Sequence, residues 1–153
     1  MDIGAQDESN SHLSHQFQEE AAMSKITFLN IDLDIESLVD ITPIVKEWRK
    51  RTAVFRHEEV DGVFYGSFET AYDGGYGVSK IIDEYVSLIE GLSPTSRKIW
   101  DQAQKREFDF GYESGSKPNN FHSRIEADYV NKLANLGGII VITIYPPEES
   151  YMA

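Results

Sequence analysis

The spacing of apolar residues switches between two periods along the chain, and this switching constrains the fold more than any other feature. Ile31 and Leu33 alternate with polar residues such as Asp32, and this alternation predicts a strand. From Ile82 to Ile89 the apolar residues recur three and four positions apart, which predicts an amphipathic helix. Segments of the two kinds follow one another in the order β-α-β-β-α-α-β-α-β. This order predicts an α+β domain built on one sheet.

Five strands are predicted from alternation, β-branched content and turn residues. Leu29 beside Asn30 interrupts the alternation of the first strand, which leaves room for a β-bulge. Asp61-Gly62 predicts a hairpin between the second and third strands, with a loop longer than two residues. The last run is almost entirely β-branched, as expected of a central strand buried on both faces. The predicted strands are Lys25–Glu36, Thr52–His57, Val63–Tyr72, Lys105–Tyr112 and Gly138–Tyr145.

Four helices are predicted between these strands. Thr42-Pro43 offers a cap and a first-turn proline to the first helix, and Gly91 ends the second. Ser123 and Glu126 have the spacing of a capping box at the start of the last helix. The predicted helices are Leu38–Lys50, a second from Val78 to near Gly91, a third that starts at Ser93-Pro94 and carries Ala103, and a fourth that starts at Ser123 and stops at Gly137.

The order of the elements also predicts how the strands are arranged. The leading elements resemble the ferredoxin-like βαββαβ unit, and one further helix–strand pair follows. Helix-linked strands favour parallel neighbours, whereas the hairpin makes an antiparallel pair, so we expect a mixed sheet of about five strands. The helices are expected to pack mainly on one face, which leaves the other face open.

Residues 1–22 differ in composition from the rest of the chain. They contain five acidic residues and no lysine or arginine, and their few apolar residues keep no period. Such a segment buries too little apolar surface to offset its ordering entropy, and it lacks the basic start and apolar run of a signal peptide. Met23 begins a stretch typical of the start of a chain. We expect a disordered acidic tail at 1–22 and a single α+β domain at 23–153.

The charge balance argues against some classes of partner. The chain has 14 Lys and Arg against 26 Asp and Glu, a formal net charge of −12, and removing the five acids of the tail leaves −7. A surface of this sign repels phosphate backbones and anionic lipid head groups, so nucleic acid and membranes are poor partners and a basic protein is a better one. The chain has no cysteine, which excludes disulfides and fits a reducing compartment, so we expect it in the cytoplasm.

Outward side chains of three predicted strands are expected to share the open face of the sheet. Because the apolar positions point to the helices, acidic residues and a tyrosine are left on the other side. Such a face suits a basic protein, since carboxylates steer the encounter and the tyrosine supplies an anchor. A face that is polar only because it is solvated is the alternative. The candidate partner-binding residues are Asp32, Asp34, Glu36, Tyr65, Glu69, Glu107 and Asp109.

Two other constellations carry weaker signals. Glu113 and His122 flank a polar loop, and they form the alternative site of a small enzyme or ligand-binding domain, with the histidine as general base. No nucleophile-elbow or phosphate-loop pattern accompanies them. Asp32, Asp34 and Glu36 alternate along one strand, where side chains two positions apart do not converge on one ion. We therefore expect no catalytic residue, no metal and no cofactor.

Short motifs follow one another in the C-terminal third: a Gly-Tyr-Glu turn, a Phe-His loop, a Leu-Gly turn and a final Ile-Tyr. With these motifs, residues 105–147 resemble an uncharacterised family of small bacterial α+β domains, which has no established chemistry. The size, acidity and layout of the chain also resemble those of bacterial toxin-immunity proteins. The motifs are Gly111-Tyr112-Glu113, Phe121-His122, Leu136-Gly137 and Ile144-Tyr145.

These observations predict a non-enzymatic acidic binding protein. The likeness to immunity proteins implies an inhibitor of a basic bacterial toxin, and the acidity of residues 23–153 and the predicted open face favour this role. The oligomeric state is left open. An oligomer that buries the open face against its own copy is disfavoured, because the acids on that face repel one another.

Overall fold

Four helices pack on one face of a five-stranded sheet in the computed structural model, which describes residues 25–116 and 120–147. The predicted tail at 1–22 lies outside these residues. None of the helices described is long and apolar enough to cross a membrane. The strands are β1 (Thr27–Ser37), β2 (Thr52–Val60), β3 (Val63–Thr70), β4 (Lys105–Glu113) and β5 (Ile139–Tyr145). The helices are α1 (Thr42–Trp48), α2 (Val78–Glu90), α3 (Pro94–Gln102) and α4 (Ala127–Asn135).

The strands lie in the order β2-β3-β1-β4-β5, so β1 is central. β1 is antiparallel to β3 and β4, β2 is antiparallel to β3, and β5 is parallel to β4. The predicted α+β class and mixed sheet are confirmed, and β1 to β4 have the strand order of a ferredoxin-like unit. The β-bulge is confirmed too, because the register between β1 and β4 shifts between Phe28 and Asn30.

The core lies between the sheet and the helices. The inward side chains of β1, β3 and β4 are fully buried there, and they include Leu33, Phe68 and Phe108. Trp48 of α1 and Trp100 of α3 pack against each other with ring centroids 6.1 Å apart. Each indole nitrogen donates a hydrogen bond to a backbone carbonyl, so both rings are buried with their polar atom paired. The same alternation turns the polar side chains of these strands away from the helices.

The last strand is at an edge of the sheet, so the prediction of a central strand buried on both faces is wrong. Among the described residues, β5 pairs only with β4, and the side chains of Ile142 and Ile144 are 62% and 63% exposed. A β-branched run fits any pleated strand, and its composition does not specify how many neighbours the strand has. The central place belongs to β1, which lies between β3 and β4.

The β2–β3 turn consists of Asp61 and Gly62 alone, so the predicted longer loop is wrong. Both residues have positive φ, 52° and 81°, which is the conformation that Asp-Gly adopts in a two-residue hairpin turn. β2 reaches Val60 rather than His57. Glu58 and Glu59 pair with β3 although they are charged, because an edge strand can leave its side chains in water.

Two helices begin later than predicted. α4 has Glu126 at its N-cap without a side-chain hydrogen bond, so the predicted capping box does not form. The hydroxyl of Ser123 instead lies 2.7 Å from that of Tyr112, which ties the segment before α4 to β4. α1 begins at Thr42, whose backbone nitrogen donates to the carboxylate of Asp40.

Tyr85 of α2 supports the two central strands where their pairing ends. The β1–β3 ladder stops at Asp32 and Glu69. Next to this end, the buried hydroxyl of Tyr85 lies 2.8 Å from the carbonyl oxygen of Ile31 and 3.0 Å from that of Phe68. Burial raises the pKa of the Tyr85 phenol, so the group stays a neutral donor at all ordinary pH values. Its hydroxyl therefore supplies a donor to backbone carbonyls at the end of this ladder.

We predict that Tyr85→Phe lowers the free energy of unfolding by about 1.5 kcal/mol, because the single hydroxyl hydrogen that two carbonyl oxygens share is lost while the ring still fills its place. Urea denaturation followed by circular dichroism measures the loss. Tyr76→Phe is the control, since the Tyr76 ring is 62% exposed, and it should change stability little. Equal stabilities of the Tyr85→Phe variant and the original chain would contradict the prediction.

Candidate functional site

Three carboxylates lie side by side on the open face of the sheet. Asp32 of β1 is directly opposite Glu69 of β3 on one side and Asp109 of β4 on the other. Residues directly opposite in antiparallel strands have their Cβ atoms about 5 Å apart and point to the same face. We call Glu69, Asp32 and Asp109 the acidic row. It joins residues that are up to 77 positions apart in the sequence.

The other predicted residues of the open face form two further rows. Asp34 lies between Ser67 and Glu107, and its carboxylate accepts a hydrogen bond from the Ser67 hydroxyl. Glu36 lies between Tyr65 and Lys105 in the next row. All seven predicted residues are therefore on one face of three adjacent strands, as follows from the observed registers. The seven are Asp32, Asp34, Glu36, Tyr65, Glu69, Glu107 and Asp109.

Two cations that the sequence interpretation missed neutralise one end of this face. The ammonium of Lys105 lies 3.1 Å from a carboxylate oxygen of Glu36 and 3.2 Å from one of Glu107. These contacts raise the pKa of Lys105, mainly through its hydrogen bond to Glu36. The position of Lys105 two residues before Glu107 was the signal available in the sequence, because it puts both side chains on one face.

The second cation lies over the tyrosine of the face. Arg56 of β2 has its guanidinium carbon 4.0 Å from the centroid of the Tyr65 ring, and it also pairs with Glu58. Tyr65 is therefore covered by a cation of its own chain and is not a bare aromatic anchor. We call the part of the open face that contains Glu36, Tyr65, Lys105 and Glu107, with Arg56 over the tyrosine, the paired end. It lines a cavity of about 170 Å³ that also borders Asp34.

The acidic row has only neutral donors around it. Asn30 donates a hydrogen bond to Glu69, and the Thr143 hydroxyl donates to Asp109 at 2.8 Å. Within the described part of the chain, no lysine or arginine forms an ion pair with any member of the row. One oxygen of Asp32 and one of Asp109 are also buried without a hydrogen-bond partner in these residues.

The electrostatic cost of placing three carboxylates side by side on a partly buried surface is visible in the pKa of Asp32. Burial, followed by the negative charges of Glu69, Asp34 and Asp109, raises the pKa of Asp32 from its ordinary 3.8 to about 6. The charged form of this carboxyl group is therefore disfavoured where it stands. A cation close to the acidic row would favour the charged form of Asp32 and would therefore lower its pKa again. The size of that shift measures how strongly the row attracts the cation.

The row does not form a metal site by itself. Among the residues described, no group of three histidine or carboxylate side chains is arranged to hold a metal ion. Carboxylates on adjacent flat strands point in parallel rather than towards one point. A hard cation needs several oxygens around one centre.

The residues of the alternative site do not contact each other. Glu113 is the last residue of β4, and alternation turns it to the open face with Asp109. Phe121, the neighbour of His122, packs on Tyr112 with ring centroids 5.4 Å apart, and Tyr112 points to the helices. His122 is exposed, and among the described residues no hydrogen bond or ion pair joins it to Glu113.

Comparison with known proteins adds no family to these observations. No family model matches the chain, and neither the curated proteins nor the solved structures give a significant match. The function must therefore be inferred from the residues of the chain itself.

We predict that Asp32 contributes a stabilisation that is lost as the pH rises through its raised pKa. The lowered pKa values of Asp40, Glu47 and Asp83 act in the opposite direction at more acidic pH, so the effect of Asp32 is measured as a difference between variants. The folded state binds the proton of the Asp32 carboxyl group more tightly than the unfolded chain does. The stabilisation from this proton is therefore complete below pH 3.8 and is lost as the pH rises through about 6. Asp32→Asn removes the charge and should raise the free energy of unfolding at neutral pH by about 1–2 kcal/mol after solvent screening.

Denaturant melts of the original chain and the Asp32→Asn variant, from acid to neutral pH, measure this effect. The two curves should approach each other at the acid end and separate as the pH rises. Glu90→Gln is the matched control, because Glu90 is an exposed acid at the end of α2. A constant difference between the Asp32→Asn variant and the original chain at every pH would contradict the assignment.

Proposed function

We propose that this chain is a non-enzymatic binding protein that docks a basic protein on its acidic row, and that it acts as an immunity-type inhibitor of a basic bacterial toxin. The observation that carries the proposal is the acidic row itself. Glu69, Asp32 and Asp109 are adjacent, on a face that no helix covers, and no cation of the described residues pairs with them. The bacterial part of the proposal rests on the motif resemblance of residues 105–147 alone, since no family model matches the chain.

The carboxylates of the acidic row have no cation beside them among the described residues, so the row attracts a cation from a partner. Burial first, and repulsion from neighbouring carboxylates second, raise the pKa of Asp32 to about 6. A lysine or arginine of the partner that approaches Asp32 offsets the repulsive part. One oxygen of Asp32 and one of Asp109 are buried without a hydrogen-bond partner among the described residues, so donors within the fold do not fully compensate these two charges. Arginine fits best, since its planar fork donates to two carboxylates at once.

The mode of inhibition follows from the chemistry of the partner. A toxin that acts on a phosphate-bearing substrate needs a cationic substrate site. The acidic row would occupy that site with carboxylates in the place of phosphates. The formal net charge of −12 would accelerate the encounter, and this steering weakens as salt screens the charges.

The paired end plays a different part in this proposal. Arg56 and Lys105 already satisfy the carboxylates there, so contacts at this end add little attraction for a cation. Tyr65 and the polar cavity beside it can still make hydrogen bonds at the rim of an interface. The proposal includes a cytoplasmic location, for which the absence of cysteine in the chain is the support.

We predict that a double substitution in the acidic row, Asp32→Asn with Glu69→Gln, weakens binding of the partner by about 10-fold to 100-fold. Affinity capture from the source organism with the full chain as bait identifies the partner. Its association rate with the original chain is then measured at about 0.1 M and about 0.5 M salt, and it should fall as salt rises. Co-expression with the captured protein tests whether the chain suppresses its toxicity.

The matched control is Glu59→Gln with Glu90→Gln. It changes the net charge by the same amount, but both residues are exposed acids away from the open face. If both double variants weaken binding equally, net charge rather than the acidic row is responsible. A partner that is not basic, or one whose toxicity the chain does not reduce, contradicts the proposed function.

A further inference from the structure

The two edges of the sheet are protected to very different degrees. β2, at one edge, carries the charged run Arg56–Glu59 and a register shift next to Val54, and both features hinder pairing with another strand. β5, at the other edge, has the sequence IIVITIY, without charge, proline or bulge. Among the residues described, no strand pairs with the outer side of β5 from Ile139 to Ile144. An edge of this kind is a ready template for another strand.

Apart from Thr143, the side chains of β5 are also aliphatic or aromatic on both faces of the sheet. The observed register puts Ile142 and Ile144 on the helix face beside Phe110 and Tyr112. Both isoleucines are more than 60% exposed, so the helix layer leaves them largely uncovered. Ile139 is on the open face and is 47% exposed.

A shallow apolar groove continues this surface. Its volume is about 170 Å³, and its walls are almost entirely apolar. Exposed apolar patches of this kind mark interaction sites in soluble proteins. The groove is lined by Ile26, Tyr112, Phe121, Ser123, Ile142 and Ile144.

We propose that β5 pairs antiparallel with β5 of a second copy of this chain, around a two-fold axis perpendicular to the sheet. The two sheets then form one continuous sheet, with both helix layers on the same side. A two-fold interface puts the same surface of each copy against itself, so the surface must be complementary to itself. β5 meets this requirement, since it has no charged side chain that would meet its like.

The pairing buries what the single copy exposes. With Ile142 near the axis, each Ile142 meets its counterpart, and Ile140 of one copy lies opposite Ile144 of the other. Pairs of β-branched side chains stabilise neighbouring strands on a shared face. Antiparallel pairing also brings the start of the partner's β5, which follows directly from its α4, beside the apolar groove.

A second copy fits this edge better than the chain's own N-terminal residues or a foreign protein of the proposed kind. Residues 1–24 join the described chain beside Ile26, at the groove, but they contain five acids and no lysine or arginine. Apolar walls offer nothing to those carboxylates. A basic partner would likewise find no acid on β5. The strand instead suits an uncharged strand like itself.

The charge of the chain makes this association respond to salt in a characteristic way. Each copy carries a formal net charge of −12, so two copies repel at long range and meet at their uncharged edge. Screening weakens that repulsion. Self-association should therefore strengthen with salt, whereas binding of a basic partner to the acidic row should weaken.

Sedimentation velocity on the full chain, from low micromolar to submillimolar concentration, tests the proposal. The original chain should form dimers that dissociate on dilution and that salt stabilises. Ile142→Lys and Ile142→Glu should each raise the dissociation constant by at least about 100-fold, since two buried isoleucines are lost and like charges meet at the axis. An equimolar mixture of the two variants should regain dimers, because opposite charges then meet.

The control is Phe55→Lys on β2, at the opposite edge, where the ring is 68% exposed; it should leave the dimer intact. Circular dichroism checks that each variant is folded, and the pair Ile144→Lys and Ile144→Glu replaces the first pair if it is not. The proposal is overturned if the original chain is monomeric throughout. It is overturned equally by lysine variants of β5 that still dimerise, or by a mixture that stays monomeric. These substitutions do not change any residue of the acidic row. A negative result for the dimer therefore does not contradict the proposed function, which the binding experiment with the acidic-row variants tests separately.

Discussion

The alternation of side chains along β1 is the constraint on which the rest of the molecule depends. β1 is paired on both sides, so each of its residues faces either the helices or the open face. Ile31, Leu33 and Ile35 fill the core, and Asp32 and Asp34 are thereby directed to the open face. A slip of one residue would bury the aspartates and expose the isoleucines, so the register of the central strand is strongly specified.

This register gives the open face two unlike ends. At the paired end, Lys105 and Arg56 neutralise the carboxylates next to them. At the other end the acidic row has only neutral donors, which reduce the repulsion between carboxylates without removing it. Burial, and after it this repulsion, raises the pKa of Asp32. A chain that keeps such a row at the centre of its sheet retains attraction for a cation, and this attraction underlies the proposed inhibition of a basic toxin.

The two proposals concern different surfaces and combine without conflict. A two-fold axis perpendicular to the sheet at β5 leaves both acidic rows on the same side, separated only by the β5 strands of the two copies. The two rows are then close together, so a dimer of this kind suits one basic partner with two cationic patches. Opposite responses to salt separate the two associations, since one is driven by apolar burial and the other by charge.

The sequence alone determined which segments are strands and helices and which side of each strand is polar, because both follow from the spacing of residues close together in the chain. It therefore predicted the seven residues of the open face. Which residues lie opposite one another was decided only by the tertiary structure. The pairing of Lys105 with Glu36, the cover of Arg56 over Tyr65 and the place of β5 at an edge all depend on strand order. The period of a strand records which face a side chain points to, but it contains no record of the neighbouring strand, which comes from a distant part of the chain.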